Sequence, residues 1–253
     1  MIDLVAGYAR GYDALQIRPF LKTLRGTGYQ GRILLVVDGG AAEEAAKWDV
    51  DVRSCPKPTG GMTPHSVRFV ELARMVRELE WEGLFTVDTR DVIFQKDITN
   101  ILPSQGLNIY EEDARETIGS CPYNSLWIQL GYGDAVLEEM KDTPISCVGT
   151  VCGGRAAMLH YLDLLSAEVK RLQPKTRKPQ NQSSHNYLTH YVLKPIIYPN
   201  EVGEIYTVGY IRPRNTVPIV DGKIVNRAGE VPAVIHQWDR HPFNLKAHVE
   251  GLL

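Results

Sequence analysis

The chain has 253 residues, 43% hydrophobic, 23% charged and 8% aromatic, which excludes a disordered, collagenous or disulfide-scaffold protein and predicts one domain over residues 1–253. A compact fold of this length buries roughly 70–75% of the surface that its unfolded chain exposes, so no metal or disulfide is needed to make a core. With 28 Lys and Arg against 30 Asp and Glu the formal charge is -2, and no global basic field draws the protein onto nucleic acid.

Met1 to Ala6 carries Asp3 where a leader peptide wants basic residues, and no stretch approaches the ~18 apolar residues of a membrane span. A cytoplasmic protein is expected. Cys55, Cys121, Cys147 and Cys152 have no metal-ligand or redox spacing and read as reduced, mostly buried residues.

Ile2 to Ala6 reads as a strand. Asp13-Ala14-Leu15-Gln16 then opens a helix with Ile17, Phe20, Leu21 and Leu24 on one face, ended by Gly26 and Gly28. Ile33 to Val37 is an uninterrupted apolar run closed by Asp38-Gly39-Gly40, the pattern of a parallel strand buried on both faces. A short helix over Ala41 to Trp48, a strand at Val50 to Val52 and a loop over Pro56 to Gly61 follow. Thr63-Pro64 caps a helix reaching Leu79, and Leu84 to Val87 is a strand that runs into Asp88-Thr89-Arg90-Asp91 before Val92-Ile93-Phe94.

Beyond about residue 105 the pattern is α+β. It holds a strand at Leu107 to Tyr110, a helix at Asp134 to Met140, a long helix carrying Leu159, Leu162, Leu165, Val169 and Leu172, and a Val217 to Val225 hairpin turning at Asp221-Gly222. Lys170 to Lys178 is a charge run that suits a solvated helix end or an acceptor- or membrane-contacting segment. The fold class is therefore α/β, Rossmann-like, with helices flanking a mixed, mostly parallel central sheet; residues 1–104 form a nucleotide-binding half and residues 105–253 an irregular α+β acceptor-side half.

Asp88 and Asp91 close a buried strand and can share one hard divalent cation through oxygen ligands, or form a plain surface turn with Arg90. Because strand side chains alternate, Asp-x-x-Asp needs a bend or bulge at Thr89-Arg90 to bring both acids to one side. A second apolar run, Ala233-Val234-Ile235, ends in His236 and a dense polar cluster through His241.

Together these segments resemble the nucleotide-sugar-dependent glycosyltransferases of GT-A fold. The most specific match is Phe85-Thr86-Val87-Asp88-Thr89-Arg90-Asp91-Val92-Ile93-Phe94-Gln95-Lys96-Asp97, in the bacterial and viral form of that family's Asp-x-Asp segment. Cys147 to Gly154 resembles its small-residue strand, Gln182 to Leu188 its helix start, and Ile235 to His241 its late His-bearing segment; position 181 is Asn where the family often has Asp.

The resemblance implies a Mn²⁺ or Mg²⁺ ion on Asp91 and His236, with Asp88 on the nucleotide or on the metal, directly or through water. It implies a nucleotide-sugar donor, UDP favoured, and a glycan or glycolipid acceptor in surface polysaccharide or glycoconjugate synthesis, met at the membrane surface or through other synthase components. Arg240 or Arg90 would stabilise the leaving diphosphate, Arg68 would reach a phosphate or carbonyl oxygen, and Tyr8 and Tyr12 suit uracil stacking or ordinary packing. Glu111, Glu112 and Asp113 offer an acceptor base or a solvated turn, while Gln182 and His236 match the retaining pattern better than any acid matches the inverting one. Asn124 and Trp127 suit a sugar pocket, with core burial the other reading for Trp127.

Two other functions fit less of the sequence. A nucleotidyltransferase requires a better phosphate loop than Gly7-Tyr8-Ala9-Arg10-Gly11, and a non-catalytic glycan- or nucleotide-binding module of a larger synthase has no need of Asp88, Asp91 and His236 together. A phosphatase using an aspartyl nucleophile is excluded, because Gly7-Tyr8-Ala9 stands where that acid would be.

Overall fold

The computed structural model describes residues 1–54, 62–173, 178, 180–193, 195–214 and 216–253. The expected Pro56 to Gly61 loop, Cys55 and part of the Lys170 to Lys178 run lie outside the described residues.

Strand β1 (Leu4–Ala9) leads into α1 (Ala14–Gly26), opened by the reciprocal Asp13 and Gln16 bonds of a capping box. Then come β2 (Arg32–Val37), α2 (Gly40–Ala45), a 3₁₀ turn (Ala46–Trp48), β3 (Asp51–Ser54), α3 (Pro64–Arg77), β4 (Gly83–Val87) and β5 (Val92–Phe94). The rest of the chain supplies β6 (Leu107–Glu111), α4 (Pro122–Tyr132), α5 (Asp134–Met140), β7 (Ser146–Gly154), α6 (Arg155–Leu172) and α7 (Asn181–Tyr187). A π turn (Leu188–Val192), β8 (Ile196–Tyr198), β9 (Ile205–Thr207), the hairpin β10 (Ile219–Val220) and β11 (Lys223–Ile224), β12 (Val234–His236), a 3₁₀ turn (Trp238–Arg240) and α8 (Asn244–Gly251) complete it.

Among the described residues, seven strands form a mixed, mostly parallel sheet in the order β3-β2-β1-β4-β7-β6-β8, in which β7 alone runs antiparallel to its neighbours. This α/β arrangement is compatible with a Rossmann-like fold. Alternation along β2 decides the two layers. Ile33, Leu35 and Val37 pack with Ile17, Phe20, Leu21 and Leu24 of α1, while Leu34 and Val36 pack with Phe69, Leu72 and Val76 of α3 and with Met158, Leu162, Leu165 and Val169 of α6. Each of these fully buried side chains contributes roughly 1.5–3 kcal/mol by leaving water.

Several expectations need correction. The Ala41 to Trp48 helix is split into α2 and a 3₁₀ turn that ends at Asp49 in the left-handed region (φ 54). The strand placed at Val50 to Val52 is β3, one residue later, and the helix drawn to Leu79 stops at Arg77. The hairpin strands shorten, while Asp221 (φ 48) and Gly222 (φ 72) take the positive φ that a type I′ turn demands. The second half supplies β6, β7 and β8 to the mixed main sheet; their partners are distant in sequence, so periodicity within each segment does not reveal the pairing. Helix α4 also went unrecognised, because its eleven residues lack charge and show little amphipathic contrast.

At the α1–α2 interface, Glu44 is 2% exposed and accepts from Arg18 Nε (2.9 Å) and Nη2 (3.2 Å), Lys47 Nζ (2.9 Å) and Trp48 Nε1 (3.3 Å). The Arg18 bond foremost holds its pKa down from 4.5 to about 2. A lowered folded-state pKa stabilises the fold above the unfolded value and loses that contribution as pH falls through the folded one. Glu44→Gln is therefore expected to destabilise the protein by about 1–2 kcal/mol at pH 7, allowing for its partly exposed partners. In denaturant titrations the deficit should shrink as pH drops from about 4.5 towards about 2; a deficit unchanged at low pH would contradict this.

Candidate metal site and cleft

At the end of β4, Asp88 N donates to Gly149 O (2.8 Å), the last rung towards β7. The chain then bends at Thr89-Arg90 and resumes as β5, which is the break that Asp-x-x-Asp requires. Thr89 Oγ1 donates to Tyr8 O (3.1 Å) and pins the bend to β1; a Cβ at Gly7 would lie 2.3 Å from the Thr89 methyl, so glycine permits this approach. From the C-terminal segment, β12 pairs antiparallel with β5 and sets His236 opposite Val92, while Gln237 N donates to Asp91 O (2.7 Å).

These bonds bring Asp88, Asp91 and His236 together. One ligand atom from each lies within 4.8 Å of the others, with His236 Nε2 at 3.3 Å from Asp88 Oδ2 and 3.9 Å from Asp91 Oδ1. His236 is 1% and Asp91 7% exposed. His236 Nδ1 faces Thr207 Oγ1 (3.3 Å) and Cys147 Sγ (3.4 Å), contacts that orient the ring with Nε2 towards the acids. The Arg68 guanidinium donates to Asp88.

The electrostatics follow from this crowding. Burial favours the neutral acid at Asp88, but Arg68 and His236 outweigh it and hold the carboxyl below its ordinary range. Burial raises Asp91, aided by the negative neighbour Asp88. For His236 burial acts downward, yet Cys147, Asp88 and Asp91 carry the ring well above its ordinary value. Two carboxylates and an imidazole form an oxygen and nitrogen donor set that could hold a metal ion, and a divalent ion there would replace the proton on the histidine. Gly149 makes the room: a Cβ would stand 2.6 Å from Asp88 Oδ2 and 2.7 Å from His236 Cε1.

Above this floor opens a cleft of about 530 Å³ whose lining includes Tyr12, Arg68, Asp88, Arg90, Asp91, Gln182, His236 and Arg240. Tyr12 lies beside Arg90 (5.9 Å from ring centroid to guanidinium carbon), and burial foremost raises its hydroxyl pKa. Tyr8 is not part of this lining; it sits in β1 with its ring packed in the α3-side core, so the packing alternative holds there. Arg90 donates to Asp239 (3.0 Å).

Gln182 reaches the cleft with both ends of its amide engaged. Oε1 accepts from Val148 N (3.1 Å) and Nε2 donates to Ser146 O (2.7 Å), so it fastens α7 to the start of β7. Of the three acids at the end of β6 and just beyond it, only Glu112 lines the cleft: Asp113 is held by Arg115 Nε (2.8 Å), and Glu111 is not among the lining residues. Glu112 is 5% exposed, its Oε2 has no hydrogen-bond partner, and burial raises its pKa. Asn124 and Trp127 both line the cleft, and Trp127 is half-buried at its wall rather than in the core.

Sequence reasoning missed His65, Tyr210, Arg212 and Arg214 of the lining, and the spatial roles of Cys147 and Gly149. A glycine inside a buried strand was the one local signal, since such a residue marks a close approach.

No protein-family model matches the chain, and no curated protein matches it.

The Gly149 contact gives a direct test of the metal assignment. Gly149→Ala should weaken Mn²⁺ binding about tenfold or more in calorimetric titration, because the added methyl forces Asp88 and His236 apart. An unchanged Kd in the folded variant removes Asp88 and His236 as joint ligands.

Proposed function

We propose that this protein is a metal-dependent glycosyltransferase that moves a sugar from a nucleoside-diphosphate donor, UDP favoured, to a glycan or glycolipid acceptor. The observation that carries this reading is the convergence of Asp88, Asp91 and His236 on the floor of an arginine-lined cleft, beside the carboxyl ends of parallel strands β1 and β4. The sheet order, with antiparallel β7 set between parallel strands, supports a GT-A arrangement.

A bound divalent ion supplies electrostatic stabilisation of negative charge on the leaving diphosphate. Arg240, exposed at the rim and acting electrostatically on Asp91 and Glu112, adds fixed positive charge where that charge develops. Tyr12 offers a face for the base, and Asn124 and Trp127 a polar and an aromatic surface for sugar rings.

For stereochemistry the sequence leans towards retention; we propose inversion, on two observations of the cleft. The Gln182 amide is committed to the β7 backbone, whereas Glu112 presents a buried carboxylate oxygen without a partner. In this reading Glu112 takes the proton of the acceptor hydroxyl, that oxygen bonds to the anomeric carbon, and the bond to the diphosphate oxygen breaks with its electron pair leaving on the nucleotide. Burial makes Glu112 a stronger base than an exposed carboxylate.

Thermal-shift measurements with UDP, GDP, CMP and dTDP, with Mn²⁺ or EDTA, should show a rise of about a few degrees for one nucleotide only with metal, by mass action. Asp91→Ala should abolish it, whereas glycan binding indifferent to EDTA without donor turnover would favour a non-catalytic module. Glu112→Gln should lower nucleotide release on transfer about 100-fold or more while leaving donor affinity within about twofold. Full turnover in that variant excludes Glu112 as the base.

A further inference from the structure

The cleft carries more positive charge than a nucleoside-diphosphate donor requires. Resting on the reading above, a divalent ion, Arg240 and the Asp88-paired Arg68 stand against Asp88, Asp91, the ionised Glu112 and the diphosphate, so one further cation balances the loaded cleft and any second is surplus. Arg90 is already paired with Asp239, and burial foremost, with Arg68 nearby, lowers the pKa of His65 towards the neutral ring. Arg212 and Arg214 remain. Both line the cleft, both are exposed to it, and neither forms an ion pair with a carboxylate among the described residues.

Their loop is built rather than loosely draped. It follows β9 and is tied to β12 by Val208 N donating to His236 O (2.9 Å), and Ile211 N donates to Val208 O (3.0 Å). His241 Nε2 donates to Val208 O (2.7 Å) from beneath. Arg212 Nη1 donates to Gly209 O (3.0 Å) and Ile211 O (2.9 Å), which anchors one nitrogen of the guanidinium and leaves the others without a hydrogen bond among the described residues. The planar fork of a guanidinium matches an oxyacid group, and a pre-positioned fork loses little freedom on binding.

We propose that Arg212 and Arg214 form an anion subsite for the acceptor, so that the substrate receiving the sugar carries a phosphate or carboxylate group. Neutral glycans would offer neither guanidinium an oxyacid partner, so the site would favour anionic acceptors over them.

The experiment is calorimetric titration of the full chain with methyl glucoside, methyl glucuronide and glycerol 3-phosphate, with and without saturating UDP and Mn²⁺. The glucuronide and the phosphate distinguish the two oxyacid sources. At least one anionic probe is expected to bind about tenfold or more tightly than methyl glucoside. R212Q/R214Q should erase that preference while changing UDP–Mn²⁺ affinity by less than about twofold. R214Q alone, which breaks no hydrogen bond among the described residues, should lose part of the preference and guards against loss of the Arg212 backbone contacts.

Equal binding of neutral and anionic probes, or binding of none, overturns the proposal. So does a double variant that loses UDP–Mn²⁺ affinity as fully as anion affinity, since the arginines would then serve the donor. If UDP–Mn²⁺ does not bind the wild type, the donor reading fails by itself, and the nucleotide-free titrations still decide the anion subsite.

Discussion

The pairing of β12 with β5 is the constraint on which the site depends. Setting Val234 opposite Phe94 and His236 opposite Val92 delivers the imidazole to two carboxylates that precede β5. A slip of one residue would turn Ile235 towards the acids and His236 into the apolar cluster that Ile235 shares with Tyr206 and Trp238. Burial of Ile235 there and of Val234 against the α1 side enforces the register, so core packing and ligand placement have one cause. The parallel pairing of β12 with β9 adds Thr207, whose hydroxyl faces the second ring nitrogen of His236.

Antiparallel β7 provides the other half of the arrangement. Running against β4, it brings its first residues, not its last, to the edge where Asp88 emerges, and Gly149 leaves the space that the two ligands occupy. Gln182 and Asn186 both bond Ser146 from α7, which holds this strand end in place. The floor of the cleft is thus fixed by backbone pairing and amide contacts, while its charged rim stands on loops. Division of this kind sets the candidate metal ligands on a rigid sheet and the arginines of the rim on loops anchored to it.

Charge in the cleft is graded. Deep in the site burial and mutual charge hold Asp88 low and raise Asp91 and His236, and Arg68 balances the carboxylate facing it. Towards the mouth the balance shifts to arginine, with Glu112 as the remaining buried acid of the lining. Such a gradient gives the cleft a cationic entrance above the candidate metal ligands.

The amino-acid sequence by itself determined most elements of the first half of the fold and pointed to Asp88, Asp91 and His236, which converge on the candidate metal site. The capping box at Asp13, the buried run Ile33 to Val37, the Thr63-Pro64 helix start and the Asp88-to-Asp91 bend are local signals, legible because backbone propensity and hydrophobic period act over a few residues. Tertiary structure alone decided that β6, β7 and β8 complete the main sheet, that Tyr8 packs inward, that Gln182 is a fastener and that Glu112, not Glu111 or Asp113, reaches the cleft. Each of those outcomes turns on partners far away in sequence, and strand pairing and side-chain burial are set by the whole packed core rather than by neighbours along the chain.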